Sequence, residues 1–184
     1  QQHHTAMKHV APVRTALGIR TIFNMLGPLA NPAGVRRQVL GVFAPEWVEP
    51  VARALLALGA ERAMVVHGLD GMDEISTTGA TLVAEVNGGG VNVREMTPED
   101  IGVARVSLDQ LRGGSVAENA EALMRLLRGE PGPFADLVVV NAGAAIQVAG
   151  LVGSLSDGVA AARASIASGK ALNALEALKR ASNG

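Results

Sequence analysis

The sequence contains no cysteine and no tyrosine, and only 2% of its 184 residues are aromatic. Without cysteine the chain has no disulfides and no thiolate chemistry. No apolar run approaches the roughly 20 residues that a membrane-spanning helix needs, and no signal peptide is visible at the start. These absences predict a cytoplasmic protein that does not enter membranes.

An excess of charge of one sign is also missing, because 16 Lys and Arg residues balance 17 Asp and Glu residues. Nucleic acids are bound through basic surfaces and stacked aromatic rings, so a nucleic-acid partner is not expected. Apolar residues make up 48% of the chain and are mostly Ala, Val and Leu. We therefore expect a core of small aliphatic side chains in close helix–sheet contact.

The common catalytic signatures are absent too: there is no GxSxG motif, no Walker loop and no GxGxxG after a strand. His3, His4 and His9 lack the spacing of an HxxxH or HExxH metal site. His67 closes an apolar run, which is more typical of a packed core residue than of a catalytic base. Hydrolase triads and dinucleotide binding are therefore not indicated.

The distribution of apolar residues predicts alternating strands and helices. Strands are expected over 37–43, 63–66, 81–86 and 91–96, and helices over 5–16, 45–58, 116–127, 157–167 and 171–179, with a helix preferred to a strand over 135–149. Asn87–Gly90 predicts a hairpin turn, and Ser115 with Glu118 predicts a capping box. We expect one α/β domain over residues 1–184, with a central, mostly parallel sheet flanked by helices.

An acidic turn follows the apolar run 63–66 and places Asp70, Asp73 and Glu74 within five residues. Adjacent acids repel each other, so the Asp73–Glu74 pair at a strand end favours a site for a hard cation such as Mg²⁺. Ligands of open α/β sheets gather beyond the carboxyl ends of the strands. A solvated acidic loop is the commoner fate of such a turn, and from these residues alone both interpretations stay open.

Three blocks stand out when the chain is read as a whole: His4–Arg14 (HTAMKHVAPVR), Leu17–Pro32 (LGIRTIFNMLGPLANP) and Val66–Ser76 (VHGLDGMDEIS). In this order and spacing they resemble the anthranilate phosphoribosyltransferase family of tryptophan biosynthesis, and the likeness extends over essentially all 184 residues. The resemblance implies the large α/β domain of the nucleoside phosphorylase and anthranilate phosphoribosyltransferase fold. It also implies a transferase that joins anthranilate to phosphoribosyl pyrophosphate, releases pyrophosphate and uses Mg²⁺.

Roles for individual residues follow from the same resemblance. The residues implied to bind anthranilate are Arg14, His4, Met7, Gly27 and Pro28, and those implied to hold Mg²⁺ are Asp73 and Glu74. A planar carboxylate suits an Arg guanidinium, and a pyrophosphate suits Mg²⁺ on carboxylates. No residue is assigned to the chemical step beyond positioning, because the anthranilate amine is a competent nucleophile once it is aligned.

The chain departs from the family in what it lacks. The family's N-terminal helical domain and glycine-rich donor loop have no counterpart in residues 1–184, so we expect a fragment that is inactive, or nearly so, by itself. A homodimer is expected of the whole protein, but no oligomeric state is predicted for the fragment. The alternatives are a pyrimidine nucleoside phosphorylase-like enzyme, which needs no Asp–Glu metal pair, and a non-catalytic nucleic-acid-binding relative.

Overall fold

The computed structural model describes residues 33–183 together with Ala16, Leu29 and Asn31. Residues 33–183 form strands β1 (Arg37–Gly41), β2 (Arg62–Gly68), β3 (Thr81–Asn87) and β4 (Gly90–Met96). The α-helices of this part are α1 (Val48–Ala57), α2 (Val116–Leu127), α3 (Pro133–Val148), α4 (Leu155–Ala167) and α5 (Lys170–Asn183). Short 3-10 helices cover Pro45–Trp47, Pro98–Ile101 and Leu108–Leu111. The helix expected over 5–16 lies outside the described residues, apart from Ala16.

The four strands form one sheet in the order β1-β2-β3-β4. β1 pairs with β2 in parallel across the α1 connection, as the strand–helix–strand pattern predicted. β2 and β3 are antiparallel, and so are β3 and β4. The α/β class is therefore confirmed, but the expected predominance of parallel pairing does not hold within residues 33–183. The reason is that β3 and β4 are joined by a short hairpin turn, and the loop from β2 to β3 contains no helix that would carry the chain back across the sheet.

Helices cover both faces of this sheet. Strand β2 lies between them, which explains the continuous apolar run of residues 63–66. Ala63 and Val65 pack with α1, whereas Met64 and Val66 pack in the cluster that includes α3 and α4. Successive side chains of a strand point to opposite faces, so a strand that is buried on both faces needs an apolar residue at every position.

Helices α3 and α4 meet at a pair of glycines. A Cβ on Gly158 would lie 2.3 Å from the carbonyl oxygen of Gly143, and a Cβ on Gly143 would lie 2.7 Å from the backbone nitrogen of Val159. Only residues without a side chain allow this approach.

The preference for a helix over 135–149 is confirmed, and so is the capping box: Ser115 Oγ accepts from the Glu118 N–H and donates to its carboxylate.

Within the described part of the chain, every helix is too short or too polar to cross a bilayer.

Candidate metal and substrate site

The predicted acidic turn is the loop from Leu69 to Ala80, which leaves the carboxyl end of β2 and returns into β3. Its backbone lies directly against the last residue of β1. A Cβ on Gly41 would stand 1.5 Å from the carbonyl oxygen of Asp73, a distance at which no side chain fits. Because β1 and β2 are parallel, their carboxyl ends share one edge of the sheet, and the loop packs across that edge.

Asp70 organises the loop from within. Its carboxylate accepts hydrogen bonds from Ser76 Oγ, from Thr78 Oγ1 and from the N–H of Met72, the last at 3.1 Å. A side-chain acceptor two residues before a backbone N–H is an Asx turn, which suits Asp at this position. Gly68 makes room for it, since a Cβ there would lie 2.5 Å from Asp70 Oδ1.

The same contacts decide the charge state of Asp70. Partial burial alone raises the pKa of a carboxyl group, but the hydrogen bonds from Ser76, Thr78 and Met72 outweigh that effect. The pKa of Asp70 therefore lies below its ordinary value, and the group is an anion at neutral pH. Its oxygens are occupied by the loop itself, which leaves Asp73 and Glu74 as the carboxylates available to a ligand.

Asp73 and Glu74 are exposed side chains at the tip of the loop. Partial desolvation raises the pKa of Glu74, and the charge and hydrogen bond of Asp73 and the charge of Asp70 raise it further. Within residues 33–183, no ion pair neutralises either side chain. Two adjacent acids that repel each other and have no cationic partner form an environment that a divalent cation would relieve.

The donor set fits Mg²⁺ in particular. Mg²⁺ is usually held by one or two carboxylates while water and substrate phosphates complete its octahedron. The described part of the chain contains no cluster of three or more His, Cys, Asp or Glu side chains that would form an all-protein metal cage. The Asp73–Glu74 pair therefore suits a cation that shares its coordination with a phosphate-bearing substrate.

Glu74 also lines an open cavity of about 750 Å³ between this loop and α3. Its walls are mainly apolar and include Met72, Phe134 and Leu137, with the polar groups of Arg112 and Asn141 among them. A carboxylate at the margin of a cavity is accessible to a ligand in a way that one on a convex surface is not. The interpretation of the turn as a site is thereby favoured over that of a solvated loop.

Asn141 of α3 holds this loop in place. It was not among the site residues predicted from the sequence. Its Oδ1 accepts from the Ile75 N–H at 3.0 Å, and its Nδ2 donates to the Ile75 carbonyl at 3.0 Å. The one available signal was an asparagine inside an apolar helix, where this residue type is unfavourable unless it has a partner.

His67 has the packing role that the sequence favoured. The side chain is 5% exposed, and its Nδ1 lies 2.8 Å from the Val42 carbonyl oxygen, to which the Nδ1–H donates. His67 thus joins β2 to the segment that follows β1.

The residues implied to bind anthranilate lie outside the described residues; they are His4, Met7, Arg14, Gly27 and Pro28. Their arrangement around the Asp73–Glu74 pair stays a prediction.

The comparison with protein families identifies the family of the chain. The sequence profile of the "Glycosyl transferase family, a/b domain" matches residues 1–172. The chain belongs to this family. The class of protein is therefore the α/β domain of the glycosyl transferase family.

Two curated relatives make the likeness more specific. The anthranilate phosphoribosyltransferase of Parvibaculum lavamentivorans is 55% identical over 184 residues, which are all of this chain and 54% of that protein. The enzyme of the same name from Rubrobacter xylanophilus is 58% identical over 181 residues, which are 98% of this chain and 53% of the relative. The chain thus spans about half the length of the curated relatives it matches.

Solved structures show the same relationship. The crystal structure of anthranilate phosphoribosyltransferase (TrpD) from Thermus thermophilus superposes with a TM-score of 0.87 at 51% sequence identity. The match covers 94% of this chain and 51% of the Thermus chain. The Saccharomyces cerevisiae enzyme in complex with PRPP and Mg has a TM-score of 0.84 at 30% identity, over 94% of this chain and 50% of that one. The yeast enzyme has also been solved with 4-fluoroanthranilate, at a TM-score of 0.83, 30% identity and coverage of 94% and 51%.

Proposed function

We propose that this chain is the α/β part of an enzyme that transfers the phosphoribosyl group of phosphoribosyl pyrophosphate to the amine of anthranilate. Membership of the glycosyl transferase family and the names of the relatives support this function. The single observation that carries the site is the Asp73–Glu74 pair, two exposed acids without a cationic partner among residues 33–183.

The reaction breaks the bond between C1 of the ribose and a pyrophosphate oxygen and forms a bond between C1 and the anthranilate nitrogen. The amine releases one proton to the solvent, and pyrophosphate leaves with the electron pair of the broken bond. In this proposal Asp73 and Glu74 are the residues that would hold Mg²⁺. When bound, Mg²⁺ neutralises the negative charge that develops on that leaving group.

The acceptor end of the reaction is assigned from the resemblance. Arg14 binds the carboxylate of anthranilate through two parallel hydrogen bonds, which a guanidinium provides and an ammonium does not. His4, Met7 and the Gly27–Pro28 turn line the path of the aromatic acid. Alignment of the amine with C1 then supplies much of the rate, because the nucleophile needs no strong base.

A chimera tests the proposal. In it, residues 1–184 replace the matching segment of the Parvibaculum relative, which supplies the half that this chain does not cover. We expect the chimera to consume anthranilate when phosphoribosyl pyrophosphate and Mg²⁺ are present, as followed by anthranilate fluorescence. The unaltered relative is the positive control for the assay and for the parent fold.

Variants of the chimera assign the roles. Arg14→Ala is expected to raise KM for anthranilate and leave the KM for phosphoribosyl pyrophosphate unchanged, whereas Asp73→Asn is expected to raise the Mg²⁺ concentration required. A folded chimera without transferase activity would refute the proposed function. The two alternatives drawn from the sequence are not retained, because the relatives and structures found share the anthranilate phosphoribosyltransferase name.

A further inference from the structure

The peptide between Glu74 and Ile75 is the point at which the acidic loop is tied to helix α3. Ile75 is 1% exposed, and its side chain belongs to the core cluster that includes Val139, Val140 and Ala144 of that helix. Burial of this side chain therefore fixes how deeply residue 75 lies in the core. It does not set the rotation of the neighbouring peptide planes, which decides where the Glu74 carboxylate points.

Asn141 sets that rotation, because a single carboxamide binds both backbone groups of Ile75. Oδ1 accepts from the Ile75 N–H at 3.0 Å and Nδ2 donates to the Ile75 carbonyl at 3.0 Å. The Ile75 N–H belongs to the peptide unit that contains the carbonyl of Glu74, so one hydrogen bond fixes the plane next to the acid. Ile75 lies in a loop, so its buried N–H and carbonyl groups are not paired with a neighbouring strand. The Asn141 carboxamide provides a hydrogen-bond partner for each of them.

The carboxamide is itself held in a single orientation. Its Nδ2 also donates to the Leu137 carbonyl of the same helix at 3.0 Å. The oxygen faces an N–H and the nitrogen faces two carbonyls, so the opposite orientation would place like groups against each other. Asn141 and Glu74 line the same cavity.

We infer that Asn141 is a positioning residue that holds the Asp73–Glu74 pair in the geometry needed to bind a divalent cation. This inference rests on the proposed function. It deepens that function by adding a residue that supports the two cation ligands through the backbone of Ile75. Residues in such a supporting position typically change metal affinity by about 10- to 100-fold when they are removed.

The test compares two asparagines that make the same kind of contact. Asn141→Leu removes the hydrogen bonds to Ile75 and keeps the number and branching of the side-chain heavy atoms. Asn119→Leu is the matched control, because Asn119 also binds both the N–H and the carbonyl of one residue, Gly114, which lies outside the acidic loop. Amide hydrogen exchange is measured on the 184-residue chain without any metal or substrate.

In Asn141→Leu we expect the Ile75 amide to exchange at least about tenfold faster, while Val65 in β2 stays protected. Asn119→Leu should leave Ile75 protected. If Asn141→Leu raises exchange in β2 as well, Asn141→Asp decides, because it keeps the acceptor for the Ile75 N–H and should restore the protection of Ile75. Unchanged exchange at Ile75 in Asn141→Leu, or exchange in Asn141→Asp as fast as in the leucine variant, would overturn the inference.

The second measurement is Mn²⁺ affinity, determined by electron paramagnetic resonance on the chimera with inorganic pyrophosphate present. Asn141→Leu should weaken the Mn²⁺ Kd by about tenfold or more, and Asn119→Leu should not change it. Faster exchange at Ile75 with an unchanged Kd would refute the positioning role. A chimera whose Mn²⁺ binding is unaffected by Asp73→Asn would instead refute the cation site of the proposed function, and the positioning role of Asn141 would be refuted with it.

Discussion

The carbonyl oxygen of Asp73 occupies the space that a side chain on Gly41 would need, 1.5 Å from the position of its Cβ. The end of β1 and the acidic loop after β2 are therefore in direct backbone contact. This contact places the Asp73–Glu74 pair over the edge of the sheet, and it permits only glycine at residue 41.

Gly41→Ala should displace the acidic loop. The added methyl group cannot be accommodated without a backbone shift, and overpacking of this kind costs about 1–3 kcal/mol of unfolding free energy. Urea unfolding of the 184-residue chain measures the loss. Gly153→Ala is the control, because a Cβ there meets nothing within 4 Å, and a loss as large as that of Gly41→Ala would contradict the steric explanation.

Asp70→Asn should destabilise the chain in a pH-dependent way. A carboxyl group whose pKa is lowered by folding contributes stability above its unfolded pKa, near 3.8, and loses that contribution as the pH falls through the folded value. The variant should therefore be less stable than the parent by about 1–2 kcal/mol at pH 7, since it loses an anionic acceptor for Ser76 and Thr78. The difference should shrink toward pH 3.

Urea unfolding of both proteins at pH 7 and at pH 3 checks this expectation. Asp109→Asn serves as the comparison, because the Asp109 carboxylate pairs with Arg112 where both side chains are largely exposed. A difference between Asp70→Asn and the parent that grew on acidification would contradict the assignment of Asp70 as the organiser of the loop.

Glu74→Gln should leave the chain at least as stable as the parent at pH 7. The pKa of Glu74 is raised by desolvation and by Asp73, so its ionisation opposes folding as the pH rises. In the chimera the same change should weaken Mn²⁺ binding. Gain or retention of stability together with loss of cation affinity is typical of a functional site, where binding requires an unfavourable arrangement in the free protein. Loss of both would indicate that Glu74 has a structural role.

The 184-residue chain without the remainder of the relatives should have no measurable transferase activity. The resemblance places the donor-binding loop in the half that this chain does not cover, so phosphoribosyl pyrophosphate would lack most of its contacts. Anthranilate fluorescence in the presence of phosphoribosyl pyrophosphate and Mg²⁺ is the measurement. Turnover by the isolated chain at a rate comparable to that of the chimera would show that the donor site is contained within residues 1–184.

The sequence predicted the elements of the described fold well because the signals are local. The four strands and five helices of residues 33–183 correspond to the predicted segments, with ends that differ by at most four residues. The capping box at Ser115 needed only neighbouring residues to be recognised. The direction of strand pairing was predicted less well, because it depends on which strands meet in space, and periodicity within a strand does not contain that information.

The acidic pair was found from the sequence, but the residues that support it were not. Asp73 and Glu74 are adjacent in the chain and carry the same charge, so the pair can be recognised from the sequence alone. Asn141 is 66 residues from Ile75 and follows a run of apolar residues, so its partner is visible only after α3 has packed on the sheet.

The sequence by itself determined the identity of the elements, the apolar character of β2 on both faces and the presence of two adjacent acids after it. The tertiary structure alone decided that these acids lie across the end of β1, beside a cavity, with their backbone tied to α3. The physical reason is one of range: helix and strand propensity act between neighbours, whereas backbone contacts such as that of Gly41 with Asp73 exist only once distant segments have been brought together.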